Sequence, residues 1–431
     1  MTPLGRTWAG MAVGQALLTR GDRQYVGFYT PERNLVVAGR MLGPRPQDAT
    51  DWSRQTLSTR LGWDSHNSVA LGLDRDGAVH VAGNMHNVPL VYFRSDPGGD
   101  VTTLRQVTTM TDPATEGSVT YPQFLNRADG SLIFTHRDGG SGDGATYVNL
   151  YDERTASWNR LIDQPLFDGN GSPDDPSRTW SAYAEGPILG PDGLFHLLWV
   201  WRNTPDAATN SMLTYARSAD LVTWTDSRDN TLATPFTYSA GDVVDAVPDH
   251  GGLLNGNARI GFDVTGSVLI TYHKYDPAGD SQLYAARPGH IGWEIRRISD
   301  WRGRWEFGGH GTIDFEIALV GSEVLPNGDI EVNYLGHGRP FTIIVNPELI
   351  TVTQLATSPL PDRVAGVRGT FAGLRVNVCR DSGYGLGSNT PRGTYVLRWE
   401  SLGVNRDSPR HCWPSQGADL EVILLRPRLG S

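Results

Sequence analysis

Two histidines carry the clearest chemical signal in this chain. His66 and His86 stand at equal distances from Asp76 in the segment Trp63–Asn87, which reads WDSHNSVALGLDRDGAVHVAGNMHN. Apolar runs on both sides of an Arg-Asp-Gly turn form a hairpin signal. Folding about that turn sets the two imidazoles opposite each other on one face, with Cβ atoms roughly 5 Å apart. Two imidazoles at the open end of one hairpin make a proton-transfer device or half a metal site; a lone histidine makes neither. Asp64, just before His66, is placed to orient its ring.

The elements that must position this pair repeat along the chain. A short apolar run, an Asp/Asn-x-Gly turn and a second run recur as LDRDGAVHVAG (73–83), NRADGSLIFTH (126–136), LGPDGLFHLLW (189–199), DVTGSVLITYH (263–273) and LPNGDIEVNYL (325–335). Weaker copies are PERNLVVAGR (31–40) and FAGLRVNVCR (371–380). Each copy is expected to be the central hairpin of a four-stranded sheet. With no 3.6-residue pattern between copies, the period predicts an all-β chain, a seven-bladed β-propeller of four-stranded antiparallel blades. Two packed sandwiches are the alternative. No low-complexity stretch splits the chain, so residues 1–431 read as a single domain; residues 168–177 read as a loop.

In a propeller, residues at equal offsets from the turn glycines converge at one end of the channel. Nine residues after the glycine stand His86, Arg202, Tyr275 and His337, and seven after it stand Asn84, Arg137 and His273. The two offsets have one parity and share a strand face. His80 and His196, nearer their turns, read as satisfied core imidazoles. Tyr121 in TYPQF and Tyr183 in SAYAEGP lie near strand starts that open on the same end. Arginine forks suit a carboxylate. Histidine and tyrosine move protons. Glycoside hydrolysis usually needs two acids about the scissile bond, and only Asp64 and Glu185 are near the candidate positions. The set suits β-elimination from a uronic acid. There a cation neutralises the C5 carboxylate, a base takes the C5 proton and an acid protonates the leaving O4. Arginine can carry that charge, so no metal or cofactor is required, although a structural calcium is compatible with the sequence.

Composition narrows the partners. The net charge is -10 and no basic stripe is present, which argues against nucleic acid. No apolar run reaches the roughly 18 residues of a membrane span. Residues 9–19 read as a first strand rather than a signal peptide. Cys379 and Cys412 fit either a disulfide, which would hint at export, or two unrelated thiols. A monomer, secreted or periplasmic, is expected.

The motifs WDSHN, GNMHN, VTYPQF, FTHRDGGSG and LFHLLWVWRN together resemble the BNR-4 type seven-bladed propellers that include ulvan lyases and L-rhamnose-α-1,4-D-glucuronate lyases. The resemblance spans residues 10 to 425 or so. It implies cleavage of a rhamnose–glucuronic acid linkage in a uronate-containing polysaccharide or oligosaccharide, leaving a 4,5-unsaturated uronate. It places the catalytic histidines at His66 and His86, the tyrosine at Tyr121, with Tyr183, Tyr272 and Tyr275 as the other candidates for that role, and the arginines at Arg137 and Arg202. Asn67, Tyr183, Tyr275 and His337 complete the expected substrate-binding set. Some members hold a structural zinc with His and Cys. Here His411 adjoins Cys412 without a clear equivalent, so no metal is expected. The net charge of -10, with no basic cluster beyond the ring of candidate residues, favours the unsulfated, rhamnose-capped substrate over ulvan, and residues 203–262 are expected to close one side of the cleft. A sialidase-like hydrolase and a non-catalytic sugar-binding propeller are the competing readings. Against the first, the S-x-D-x-G-x-T-W copies are missing.

Overall fold

The computed structural model describes residues 2–45, 48–172, 175–238, 240–358, 360–383 and 393–425. The chain is all-β, and the only α-helix among the described residues is Asp362–Ala365. Seven antiparallel sheets of at least four strands give the fold class, a seven-bladed β-propeller. The chain packs as two compact units. One holds Met1–Gly139, Thr146–Asp163 and Gly366–Ser431, and the other Gly140–Ala145 and Gln164–Ala365.

The first unit carries four sheets. Ala16–Arg20, Arg23–Tyr29, Asn34–Met41 and Ser53–Arg60 form one in chain order. The next is built of Val69–Leu73, Val79–Gly83, Tyr92–Arg94 and Arg105–Gln106. A third holds Val119–Asn126, Leu132–Asp138, Ala145–Asp152 and Ser157–Arg160, with His86–Val88 added at its edge. In the fourth, the N-terminal strand Thr2–Thr7 pairs with Ala418–Leu425, so strands from both ends of the sequence share one sheet. Residues 8–15 form no strand; the stretch expected as a first strand is mostly connection.

The five strong copies of the repeat each sit at the turn between the first and second strands of a sheet, not at a central hairpin. Their glycines take positive φ, for example 76° at Gly77 and 82° at Gly130, which a side chain would strain. The weaker copies are displaced. Residues 31–40 turn between second and third strands, and residues 371–380 only lead into Arg375–Arg380. Inward-facing side chains then build the core, including Leu71, Val79, Val81 and Phe93 around one hairpin and Leu132, Phe134, Tyr151 and Trp158 around the next.

The second unit carries the other three sheets of four or more strands, led by Ser181–Leu189, Ala258–Phe262 and Ile317–Val324. Residues 203–262, expected beside the cleft, contain several strands. They supply Asn210–Ser218, Trp224–Thr225, Thr231–Leu232 and Asp242–Asp245 to the first of these sheets. The predicted loop at 168–177 contains a two-stranded ribbon, Asn170–Ser172 with Asp175–Thr179.

Two expectations about side chains meet different outcomes. His80 and His196 are buried and satisfied in the same way. Nε2 of each faces an aspartate, Asp74 at 3.1 Å and Asp192 at 3.0 Å, while Nδ1 accepts from a tyrosine hydroxyl, Tyr92 at 2.7 Å and Tyr215 at 2.6 Å. Burial holds both rings neutral, against the pull of their aspartates. The cysteines, by contrast, are free thiols, so the disulfide reading falls and with it that hint of export.

Candidate active site

Asp-Ser-His-Asn at 64–67 folds as an Asx-type turn. The Asp64 carboxylate accepts from the backbone N–H of His66 at 2.9 Å, and the Asn67 amide donates to the Asp64 carbonyl at 3.0 Å. Asn67 is thereby buried in the turn. The hairpin that follows has the expected register, with Val69 opposite Gly83 and Leu71 opposite Val81. His86 then leaves it. Asn84 turns the chain with a φ of 60°, its amide held by Thr59 Oγ1 and the Arg60 carbonyl, and His86–Val88 pairs with the adjacent sheet instead. The two histidines still meet, because the rings stack with centroids 4.0 Å apart.

One carboxylate holds both rings. Asp64 Oδ1 accepts from His66 Nδ1 at 2.9 Å, and Oδ2 accepts from His86 Nδ1 at 2.5 Å. Asp407 adds a second carboxylate 3.4 Å from His66 Nδ1. Burial disfavours a charged His66, but the hydrogen bonds and charges of Asp407 and Asp64 outweigh it and push the ring up to about 9. Burial also works to raise Asp64, yet the donors of His66 and His86 hold it well below the usual carboxylate range. His66 is therefore an imidazolium at neutral pH. The donor atoms of Asp64, His66 and His86 lie within 4.8 Å of one another, close enough to suggest a metal. Ligands of a tetrahedral zinc stand about 3.3 Å apart, given bonds of about 2.0–2.1 Å. Contacts of 2.5 and 2.9 Å are those of hydrogen bonds instead.

The sheet that receives His86 aligns the other groups of this unit. His86 pairs with Thr120, and Thr120 with Arg137, so the three residues form one row across three strands. Directly opposed side chains share a face. Adjacent strands are about 4.8 Å apart, which puts the Cα atoms of His86 and Arg137 roughly 10 Å apart. Tyr121 lies in a bulge beside Thr120, where the register shifts between Thr120 and Gln123. Its φ of 54° is a strained value for a tyrosine, and 37 % of it is exposed. The Arg137 guanidinium sits 4.9 Å from its ring centroid.

The second unit gathers Tyr183 and Arg202. Arg202 Nη2 donates to the Tyr183 hydroxyl at 2.5 Å and to Ser141 Oγ, and its guanidinium covers the Tyr183 ring at 4.3 Å. Asn255 accepts from Nη1 at 3.3 Å. The other two expected residues of this unit are engaged elsewhere. Tyr275 donates to the Trp305 carbonyl at 2.8 Å beneath Arg304. His337 stands in the tight turn with Gly338 after Ile330–Gly336, at a φ of 48° and with 79 % of its side chain exposed, because that strand ends before the ninth position. Glu185, the other acid singled out in the sequence, faces Arg259 at 3.5 Å. Asp407 and Asn255 escaped the sequence reading, since no repeat or spacing marks them, and Ser141, inside the FTHRDGGSG motif, was not singled out.

A profile of BNR repeat-containing family members, BNR_4, matches residues 23–301. The chain belongs to this family. Among solved structures, the polysaccharide lyase Uly1 superposes with a TM-score of 0.66 at 15% identity, covering 96% of this chain and 90% of the other. A PL25 ulvan lyase bound to -[GlcA(1-4)Rha3S]- superposes with a TM-score of 0.63 at 11% identity, covering 99% of this chain and 96% of the other. At these identities the likeness extends this family's fold over nearly the whole chain. No curated protein sequence matches it.

Proposed function

We propose that the protein is a polysaccharide lyase that cleaves a rhamnose–glucuronic acid linkage by β-elimination. The observation that carries the reading is the Asp64 carboxylate shared by two stacked imidazoles. We assign the base role to His86, whose ring is oriented by that carboxylate. Its Nδ1–H is committed to Asp64, so Nε2 holds the lone pair, and that atom has no hydrogen-bond partner among the described residues. In the reaction His86 Nε2 takes the C5 proton and the C–H electrons form the C4–C5 double bond. The C4–O4 bond breaks, and Tyr121 gives its phenolic proton to O4. Arg137 and the His66 imidazolium neutralise the C5 carboxylate as charge builds on it.

The solved lyases with this fold, Uly1 and the PL25 ulvan lyase, support the reading by analogy. The net charge of -10 favours the unsulfated L-rhamnose-α-1,4-D-glucuronate unit over ulvan, with an oligosaccharide or polysaccharide as substrate. Substrates of that size also point to an exported enzyme. The test is ultraviolet absorbance during incubation with rhamnose-capped arabinogalactan and with ulvan. A rise with the former, abolished by His86→Ala, is expected. No rise with any uronate polymer overturns the proposal.

A further inference from the structure

We propose that Asp407 is a positioning residue that holds the His66 imidazole in place and in its charged form from the far end of the chain. This rests on the reading of His66 as part of the elimination site. Asp407 stands in the connection between Thr394–Ser401 and Ala418–Leu425. Its Oδ1 accepts from both the backbone N–H and the hydroxyl of Ser65, at 3.0 and 2.9 Å, which fixes the carboxylate against the turn that bears His66. Its Oδ2 lies 3.4 Å from His66 Nδ1. The carboxylate is largely buried, with 18 % of the side chain exposed, so solvent screens it little.

The backbone around Asp407 is built to keep it there. Arg406 and Asp407 take left-handed φ values of 51° and 56°, a conformation that persists only where surrounding contacts impose it. Arg410 supplies one set, donating to the carbonyls of Gly10, Gly403 and Val404 at 3.1, 2.8 and 2.9 Å. Trp413 supplies another. It packs edge-on against Trp63 at 5.1 Å, and Trp63 packs in the same way on the buried Trp8. Trp63 immediately precedes Asp64, so the loop and the histidine turn share one aromatic brace. The groups that face His66 include Asp64 from its own turn, His86 from the strand after the hairpin, and Asp407 from this loop. Two carboxylates against one ring account for its preference for the charged state.

The test uses Asp407→Asn in the full chain, with two readouts. In proton NMR, the titration midpoint of His66, assigned with a His66→Gln variant, should fall by about 1 pH unit, as expected when an opposite charge within 4–6 Å is lost. In kinetics on the uronate substrate, kcat should fall about 10-fold with its pH profile displaced and KM within about twofold. Asp407→Glu should restore much of both. Ser65→Ala, which removes one hydroxyl donor to Asp407, should move the midpoint in the same direction by less and serves if Asp407→Asn does not fold. An unmoved His66 midpoint in the folded variants overturns the inference, whatever happens to activity. If the wild-type protein eliminates no uronate, the proposed function falls, and the NMR midpoint still decides whether Asp407 governs His66.

Discussion

Asp64→Asn is the substitution with the largest calculable consequence. It removes the charge from an acceptor of two imidazole N–H groups at 2.9 and 2.5 Å while keeping the side chain's size. Hydrogen bonds to a charged group contribute about 1.5–3 kcal/mol each. The asparagine oxygen can still accept one, so a loss near 3 kcal/mol is expected at neutral pH. The pH dependence carries the sign. His66 is raised from 6.5 to about 9 on folding, so its contribution is complete below about pH 6.5 and disappears as pH rises through 9. At about 1.4 kcal/mol per pH unit, that contribution is about 3.5 kcal/mol in the wild type. Asp407 remains in the variant, so about half should persist. Urea unfolding at pH 6 and pH 9.5 measures the difference for both proteins. In kinetics, an asparagine no longer fixes the His86 tautomer, and kcat should fall about 10²- to 10⁴-fold. If the variant loses as much stability as wild type between the two pH values, and turns over within about twofold of it, the shared-carboxylate reasoning is wrong.

His86→Ala should lower kcat about 10³-fold with little change in KM, and a variant with near-normal kcat removes His86 from the base role. Arg137→Lys keeps the charge but loses the planar fork above Tyr121, so kcat/KM should drop about 10- to 100-fold; an unchanged value detaches Arg137 from the carboxylate. His337→Ala should alter activity by less than about twofold, since its side chain stands in solvent, and a large loss would restore it to the site. Treatment with a chelator should leave activity intact, because the Asp64 contacts have hydrogen-bond lengths; inactivation reversed by zinc contradicts this.

How far the sequence could be read depended on the range of the interaction. The repeat rests on local chemistry, an Asx-x-Gly turn between apolar runs, and it gave the blade count and the register of the Val69–Gly83 hairpin. The same local logic mislaid His86 by one sheet. Only the left-handed turn at Asn84, tied to Thr59 and Arg60, diverts the strand, and nothing in the local pattern announces it. The repeat's offset put Arg137 on the His86 face, and the structure sets both in one row through Thr120. The offset failed at His337, because a tight turn ends that strand early. Asp407 is 342 positions from Ser65, and no spacing rule reaches so far. Tyr121 was marked by its place near a strand start and by the resemblance, not by the repeat's spacing, and its bulge appears only once the strands are paired.

The most direct measurement is product analysis of the purified protein acting on rhamnose-capped arabinogalactan in heavy-oxygen water, by ultraviolet absorbance and mass spectrometry together. Elimination predicts a new unsaturated uronate end that absorbs in the ultraviolet, is lighter than the hydrolysis product by one water and contains no solvent oxygen. A saturated product that has taken up heavy oxygen would contradict the account and assign the paired imidazoles to hydrolysis.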